Sequence, residues 1–454
     1  MRILLTVHQY FPDYYTGTEA VARHVAAGLR AAGHDVRVFT GYPARRAMAD
    51  DERFEEYTFE SIPVMRFHHV RSPMGACTNI MRGEYSNEFF AAYFRSYVQR
   101  FQPDVVHIFH MARLSSSVID VCRELHIPMV HTVTDFWSVC STCVLRLPDN
   151  RICPGPRRLG ANCVKHLLTN AEVPPAFRLL AHFPDWLVGL AVWAVNHKLL
   201  LRNSIHGQHV QALSQRRDWL VARLNQVDRL LVLTHTLRGV FIRHGVHPRR
   251  ITVLPHGMET AHISRTDQRG RGGALRVGFL GQIAEHKGCH ILIQAVQSLA
   301  ADAKVELLFH GNRDENPEYR DRLLALAHND PRIEFRGPYD HAQIDAVLRN
   351  LDVVVVPSIW YENTPLVIYE ACAAGCPVIA SNLGGMAEMV RHNQDGLLFK
   401  MGSVPALAQA LDLLARDRTV LRRLAEGVRP PKRIAEYVAE LEGIYGELCG
   451  GKTR

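Results

Sequence analysis

The sequence predicts an α/β protein built as two parallel-sheet domains, and three observations carry that prediction. Both halves alternate short apolar, β-rich runs with helical segments, the pattern of parallel strands covered by helices. The chain has 454 residues, too many for one ordinary core. Residues 264–273 (S-R-T-D-Q-R-G-R-G-G) are polar and glycine-rich, as a connector between the halves would be. The composition, 47% apolar and 22% charged, is globular and excludes a disordered chain.

In the first half the strand candidates are 2–7, 35–39, 64–67, 104–109, 128–133, 229–233 and 251–254, with a helix from Glu19 to Ala31 closed by Gly33. In the second half they are 275–280, 305–309, 333–336, 352–356, 378–380 and 396–399. The expected domains are therefore 1–265 and 274–429. Residues from about 140 to 225 break the alternation and read as an insertion in the first domain, and a last helix is expected at 433–448.

The formal charge of +8 suits an anionic partner: a phosphorylated substrate, a membrane surface or nucleic acid. No nucleic-acid-binding module is recognisable, so no nucleic acid is expected. The opening M-R-I-L-L-T-V is too short and too weakly basic for a signal peptide and reads as a first strand. Ten cysteines without an export signal point to a reducing compartment. The expected location is cytoplasmic, with the inner face of a membrane as a peripheral site.

The most informative stretch is 352–379. D-V-V-V-V-P-S is a strand buried on both faces and ended by Pro357; it is followed by the loop W-Y-E-N-T-P and then by L-V-I-Y-E-A-C-A-A-G-C-P. Asn363 or Thr364 can cap a helix, Pro365 suits its first turn, and Gly375 with Pro377 stops it. A helix N-terminus beyond the carboxyl end of a parallel strand is an anion site. Glu362 precedes it in the loop and Glu370 follows in the second turn, which suits a ligand with phosphate in its middle and hydroxyls at its ends: a sugar nucleotide.

The E-x7-E spacing followed by A-x-A-x-G-x-P-V-I resembles the signature of the retaining glycosyltransferases of family 4, whose GT-B fold sets two Rossmann-like domains face to face across a cleft. The resemblance implies that Glu362 and the segment Asn363, Thr364, Pro365 and Leu366, through its backbone N–H groups, hold the donor sugar, and that Glu370 holds the ribose. It also implies that the final helix, within 430–454, crosses back to the first domain. G-Q-I-A-E-H-K-G, from Gly281 to Gly288, is similar to the family's G-R-x4-K-G, in which the arginine and lysine neutralise the diphosphate. Lys287 takes the lysine role; Gln282 stands at the arginine position, a departure, and Arg313 in a later loop is the nearest cation to compensate.

In the first domain, T-G-T-E from Thr16 to Glu19 lies between strand and helix, where Gly17 and Thr18 either line the cleft floor or simply cap the helix. V-H-T-V-T-D-F-W resembles the family's strand ending in H-D-[FY]-W, with Thr134 at the histidine position beside Asp135, a second departure. His131 points to the other face, and His107 and His110 are either substitutes or structural. Cys140, Cys143, Cys153 and Cys163 are either a structural zinc site or unligated thiols. The two-tryptophan segment 177–201 is either a core helix or a monotopic helix contacting a membrane.

The expected activity is transfer of a sugar from a nucleotide-diphosphate donor to a hydroxyl of a glycan or lipid-linked acceptor, with retention, with Glu362 and Lys287 central and no catalytic metal required. Two rivals stay open: a GT-B sugar-nucleotide epimerase or phosphorylase, and a sugar-nucleotide-binding protein with reduced turnover, motivated by Gln282 and Thr134.

Overall fold

The computed structural model describes residues 1–15, 17–44, 46, 48–69, 74–75, 78–147, 149–168, 179–266, 269–270 and 272–450. Thr16, residues 177–178 of the two-tryptophan segment, and 267, 268 and 271 of the expected connector lie outside them. The chain divides into two compact units: Met1–His256 joined by the segment from Ile434 onward, and Gly257–Arg433.

The first unit is built on an eight-stranded sheet in the order β3-β4-β2-β1-β5-β6-β7-β8. The strands are β1 (Arg2–Val7), β2 (Asp35–Pro43), β3 (Phe54–Phe59), β4 (Ile62–His69), β5 (Val105–Ile108), β6 (Met129–Val133), β7 (Arg229–Val232) and β8 (Ile251–Val253). All neighbours are parallel except β3 with β4. β5 and β6 are buried at every residue because helices cover both faces of the sheet. β1 lies between β2 and β5; β1 connects onward to β2 on one side and β5 onward to β6 on the other, which opens a crevice at their carboxyl ends.

The last helix, Ile434–Gly450, belongs to this unit. It packs against the helix Thr18–Ala31, where Gly28 leaves room for Val438: a Cβ at Gly28 would lie 2.7 Å from Val438 Cγ2. Beneath it, His107 is held between Tyr445 Oη (2.5 Å) and Thr132 Oγ1 (2.7 Å). Between β6 and β7 stand the helices Ala161–Leu168, Asp185–Asn196 and Ile205–Leu224, which share a small core of Ala161, Val164, Val188, Val192 and Leu213.

The second unit carries a six-stranded, fully parallel sheet in the order β11-β10-β9-β12-β13-β14. The strands are β9 (Leu275–Leu280), β10 (Val305–His310), β11 (Ile333–Gly337), β12 (Val353–Val356), β13 (Val378–Ser381) and β14 (Gly396–Phe399). β12 shows why a run of four valines makes a central strand: Val353 and Val355 enter the core on one face, and Val354 and Val356 the core on the other. β9 connects onward to β10 on one side and β12 onward to β13 on the other, so the switch point of this sheet lies between β9 and β12.

The described part of the expected connector is docked on the second unit, which begins at Gly257. Ile263 is in its core, and buried Arg269 donates to the carbonyls of Leu348 (3.0 Å), Leu351 and Ala374 (2.9 Å). Arg265 does the same for Val428 and Ala425. These arginines satisfy carbonyls at the ends of helices, so a segment that reads as solvated is structural.

Candidate functional site

The loops after β9 and β12 meet at the switch point of the second unit. Two glycines let these loops and the one after β13 approach. Gly288 has φ 76°, and a Cβ there would lie 2.1 Å from the Pro357 carbonyl oxygen. Gly385, at the start of the helix Gly384–Met389, donates its N–H to the Glu362 carbonyl (2.8 Å), and a Cβ on it would fall 1.3 Å from the Asn363 oxygen. Ile359 N–H also donates to His286 O at 2.9 Å. The backbone of 359–363 is thus fixed on both sides.

Three donors converge on one oxygen of Glu362: Lys287 Nζ at 2.6 Å, Trp360 Nε1 at 2.8 Å and Ser358 Oγ at 2.9 Å. The Glu362 side chain is only 11% exposed. Burial alone would raise its carboxyl, but the charge and hydrogen bond of Lys287, with the bonds from Trp360 and Ser358, more than offset this and hold it below the usual glutamate range. Glu362 is therefore an ionised acceptor at neutral pH, and its second oxygen takes no part in these three bonds. Lys287 also lies over the Trp360 ring, 5.4 Å from its centroid. Its charge is shared with Glu362.

The helix that follows is Leu366–Ala373, with Pro365 as its N-cap residue. Neither Asn363 nor Thr364 is the cap expected from the sequence: Pro365 holds non-helical φ/ψ (−57°, 120°) itself, which starts the helix one residue past it. The Ile368 amide turns back to the Pro365 carbonyl (3.0 Å), so the amides of Leu366 and Val367 are the ones that the helix itself cannot satisfy. In the second turn Glu370, nearly buried, accepts from His341 Nε2 at 2.7 Å. One buried carboxylate thus lies before the amide end and one after it.

Gln282, on the loop after β9, is exposed and donates to Glu315 Oε2 at 3.0 Å. Arg313 lies with its guanidinium 5.9 Å from the centroid of Phe335. Gly281 keeps φ 132°, and its carbonyl oxygen would be 2.0 Å from a Cβ at Gly311.

In the first unit, the residues expected at the floor of the cleft gather at the crevice beyond β1, β5 and β6. Gly17 (φ 55°) precedes the helix Thr18–Ala31, and Thr18 Oγ1 donates to Thr134 Oγ1 at 2.9 Å. Asp135 binds His110 Nε2 at 2.9 Å and accepts from the Trp137 amide at 2.7 Å. Burial would raise the Asp135 carboxyl, yet His110 and these hydrogen bonds hold it low. The His8 ring lies tilted against that of His110, centroids 4.2 Å apart, and approaches Glu19 at 3.3 Å. His107 and His131 are structural: burial drives them down to about 3 and about 4, respectively, so both are neutral.

Sequence reasoning missed Ser358 and Trp360, although their offsets of four and two residues before Glu362 were on the page. It also missed His341, 29 residues from Glu370, for which no local signal exists. Among the described residues, no group of three or more His, Cys, Asp or Glu side chains is arranged to hold a metal ion. Cys140, Cys143, Cys153 and Cys163, read from the sequence as either a zinc site or unligated thiols, are not brought together as such a group. Cys140 and Cys153 are buried and Cys143 and Cys163 half-buried: Cys140 pairs with Thr142 Oγ1, Cys153 accepts from Asn162 Nδ2, and burial pushes the Cys163 thiol up to about 12.

Comparison with known proteins gives the following. Residues 274–417 match the model of Glycosyl transferases group 1, and residues 15–171 that of Glycosyltransferase Family 4. A D-inositol 3-phosphate glycosyltransferase of Stackebrandtia nassauensis is 28% identical over 295 residues, covering 58% of this chain and 66% of that protein. One from a Mycobacterium sp. is 31% identical over 300 residues, covering 60% and 66%. A glycogen synthase of Mycobacterium tuberculosis is 28% identical over 267 residues, covering 55% and 63%. The chain thus spans just under two thirds of the length of each of these relatives. Among solved structures, a sucrose-phosphate synthase from Thermosynechococcus elongatus superposes with a TM-score of 0.65 at 18% identity, covering 99% of this chain and 100% of that one. Anabaena Alr3699/HepE in complex with UDP superposes with a TM-score of 0.64 at 15% identity, covering 98% and 100%. These likenesses show the fold, which is GT-B.

Proposed function

As the chain belongs to the group 1, family 4 glycosyltransferases, we propose that it transfers a sugar from a nucleotide-diphosphate donor to a hydroxyl of a glycan or lipid-linked acceptor, with retention of configuration. The observation that supports this most is the constellation at the β9/β12 switch point: the ion pair of Lys287 and Glu362, the helix end at Leu366, and Glu370 one turn on. The free amides of Leu366 and Val367 suit a pyrophosphate. Ionised Glu362 suits the sugar hydroxyls, and Glu370 suits the ribose hydroxyls, with His341 orienting its carboxylate.

In this reading Glu362 does not work as an acid, because it is held ionised and paired. The departing phosphate oxygen accepts the acceptor's proton on the same face of the sugar. The protein's contribution is preorganised positive potential at the leaving group, from amides and Lys287, and rigid placement of the donor. On this account Gly17, Thr18, Thr134 and Asp135 contact the acceptor, with His110 setting the Asp135 carboxylate. The enzyme would work in the cytoplasm, in assembly of a polysaccharide or glycoconjugate.

One observation favours a second reading, a donor-binding protein with reduced turnover: Gln282 offers no charge and its amide is engaged by Glu315. A thermal-shift screen against uridine, guanosine and adenosine diphosphate sugars tests the first step of both readings, since a ligand of the native state at 100 times its Kd adds about 2.7 kcal/mol of stability. Incubation of the stabilising donor with glycan and lipid extracts then separates them: transferred sugar supports the enzyme, and binding without transfer supports the second reading. No shift with any sugar nucleotide would contradict both.

A further inference from the structure

The helix Asp185–Asn196 is apolar on two opposite sides. Val188, Val192 and Val195 turn inward, and Val188 and Val192 meet Ala161, Val164 and Leu213. On the other side Trp186, Leu190 and Trp193, spaced by four and three residues, form a stripe at 71%, 55% and 41% exposure. The turn that follows presents Leu199, Leu200 and Leu201, all exposed. Positive φ at Lys198 (59°), Leu201 (52°) and Asn203 (63°) shapes this turn, so the backbone adopts a costly conformation where it holds three leucines outward.

The charge around this surface is one-sided. From Trp186 to Arg217 the chain contains no Asp or Glu, while Lys198 and Arg202, both exposed, bracket the three leucines. The one acid at the helix start, Asp185, is neutralised by Arg157 Nη1 (2.5 Å) and Lys165 Nζ (3.0 Å). A protein partner with an apolar patch would complement the stripe but not these cations, for which no ion pair is formed among the described residues. An anionic lipid surface complements both: tryptophan and leucine enter the acyl boundary while lysine and arginine meet the headgroups. Twelve residues of helix rise about 18 Å, too short to cross a bilayer and suited to lying on one. Among the described residues no helix is long and apolar enough to span a membrane.

We propose that the face formed by Trp186, Leu190, Trp193 and Leu199–Leu201, with Lys198 and Arg202, docks the protein on an anionic lipid bilayer. The surface lies on the unit that also carries the Thr18, Thr134 and Asp135 crevice, and docking would bring a lipid-linked acceptor to that unit. This last step rests on the proposed transfer reaction; the docking itself does not.

The test needs neither donor nor acceptor. The full chain is sedimented with vesicles of phosphatidylcholine alone and with vesicles carrying about one third phosphatidylglycerol, and tryptophan emission is followed in parallel. Expected are binding to the anionic vesicles, weaker binding at high salt, and a blue shift from Trp186 and Trp193. The pair Trp186→Ser and Trp193→Ser should weaken partitioning at least about tenfold and abolish the shift. The pair Lys198→Glu and Arg202→Glu should weaken it about 30-fold or more, at roughly a fivefold loss per basic residue removed. All four positions are exposed, and circular dichroism checks that the variants fold. No preference for anionic vesicles would overturn the proposal. So would a dimer in light scattering that the tryptophan variants dissociate while vesicle binding is absent, because a second copy would then be the occupant. Vesicle binding with no transferase activity would leave this proposal standing and count against the reaction alone.

Discussion

Replacing Lys287 with methionine removes the cation from Glu362 and keeps the volume of the side chain. In the native protein Glu362 is a carboxylate 11% exposed with Lys287 at 2.6 Å. Breaking a buried pair by deleting one partner costs about 3 to 5 kcal/mol. The lower end, about 3 kcal/mol, applies because Ser358 and Trp360 still donate to Glu362 and Lys287 is itself 25% exposed. For a unit of this size that is a fall in Tm of about 6 to 12 °C at neutral pH.

The sign of the pH dependence discriminates further. The native Glu362 carboxyl lies below its unfolded value, so its contribution is present above about pH 4.3 and is lost as pH falls through the depressed folded value. In Lys287→Met the offsetting charge is gone and burial pushes the carboxyl up instead. The penalty is then full at pH 7.5 and shrinks as pH falls through the raised value, because protonation removes the unpaired charge. Scanning calorimetry at pH 7.5 and 5.0, with Glu362→Gln alone and combined with Lys287→Met, measures the coupling. A loss under 1 kcal/mol at pH 7.5, or one equal at both pH values, would refute the burial and pairing of Glu362 on which the site depends.

Gly385→Ala should be more damaging than its size suggests, since its Cβ would sit 1.3 Å from the Asn363 oxygen and must push the Glu362 loop aside. The expected result is donor affinity at least about tenfold weaker, or about 1.4 kcal/mol, by calorimetric titration. Gly443→Ala, with nothing within 4 Å of the new Cβ in the last helix, should be neutral or stabilising by about 0.5 to 1 kcal/mol. Gln282→Arg, with Glu315→Gln to free the new side chain, should raise turnover about ten- to a hundredfold if a cation on this loop stabilises the leaving group, the worth of about 1.5 to 3 kcal/mol for a charge-assisted hydrogen bond. Initial rates decide it, and an unchanged kcat would mean that Lys287 and the helix amides suffice.

Most of the sheet framework was legible in the sequence because parallel strands buried on both faces are continuous apolar runs, as in V-V-V-V of β12. β3 was not legible. F-E-E-Y-T-F is an edge strand with charges outward, and its tight turn to β4 uses Glu60 (φ 48°) and Ser61 (φ 63°) where Asn-Gly would have announced a hairpin. The docking of 264–273 was hidden because Arg269 looks solvated in sequence, whereas its partners are carbonyls 79 and 105 residues away. At the candidate site, Glu362, Lys287 and Glu370 were singled out by spacing and resemblance, and the Lys287–Glu362 pair lies at the meeting of the two loops. Their partners were not. Hydrogen bonds from Ser358 and Trp360 depend on how the loop folds back, and His341 reaches Glu370 from the far side of β12 in sequence. The helix cap was misread because Pro365 takes the cap position itself.

The central claim is that the β9/β12 switch point of the second unit holds a nucleotide-diphosphate sugar between two carboxylates. Calorimetric titration of the wild type, Glu362→Gln and Glu370→Ala with the sugar nucleotide that stabilises the protein, and with its free nucleoside diphosphate, tests it most directly. The account predicts that Glu370→Ala weakens both ligands alike, whereas Glu362→Gln weakens the sugar nucleotide and spares the diphosphate. Equal binding of both ligands by all three proteins would contradict it.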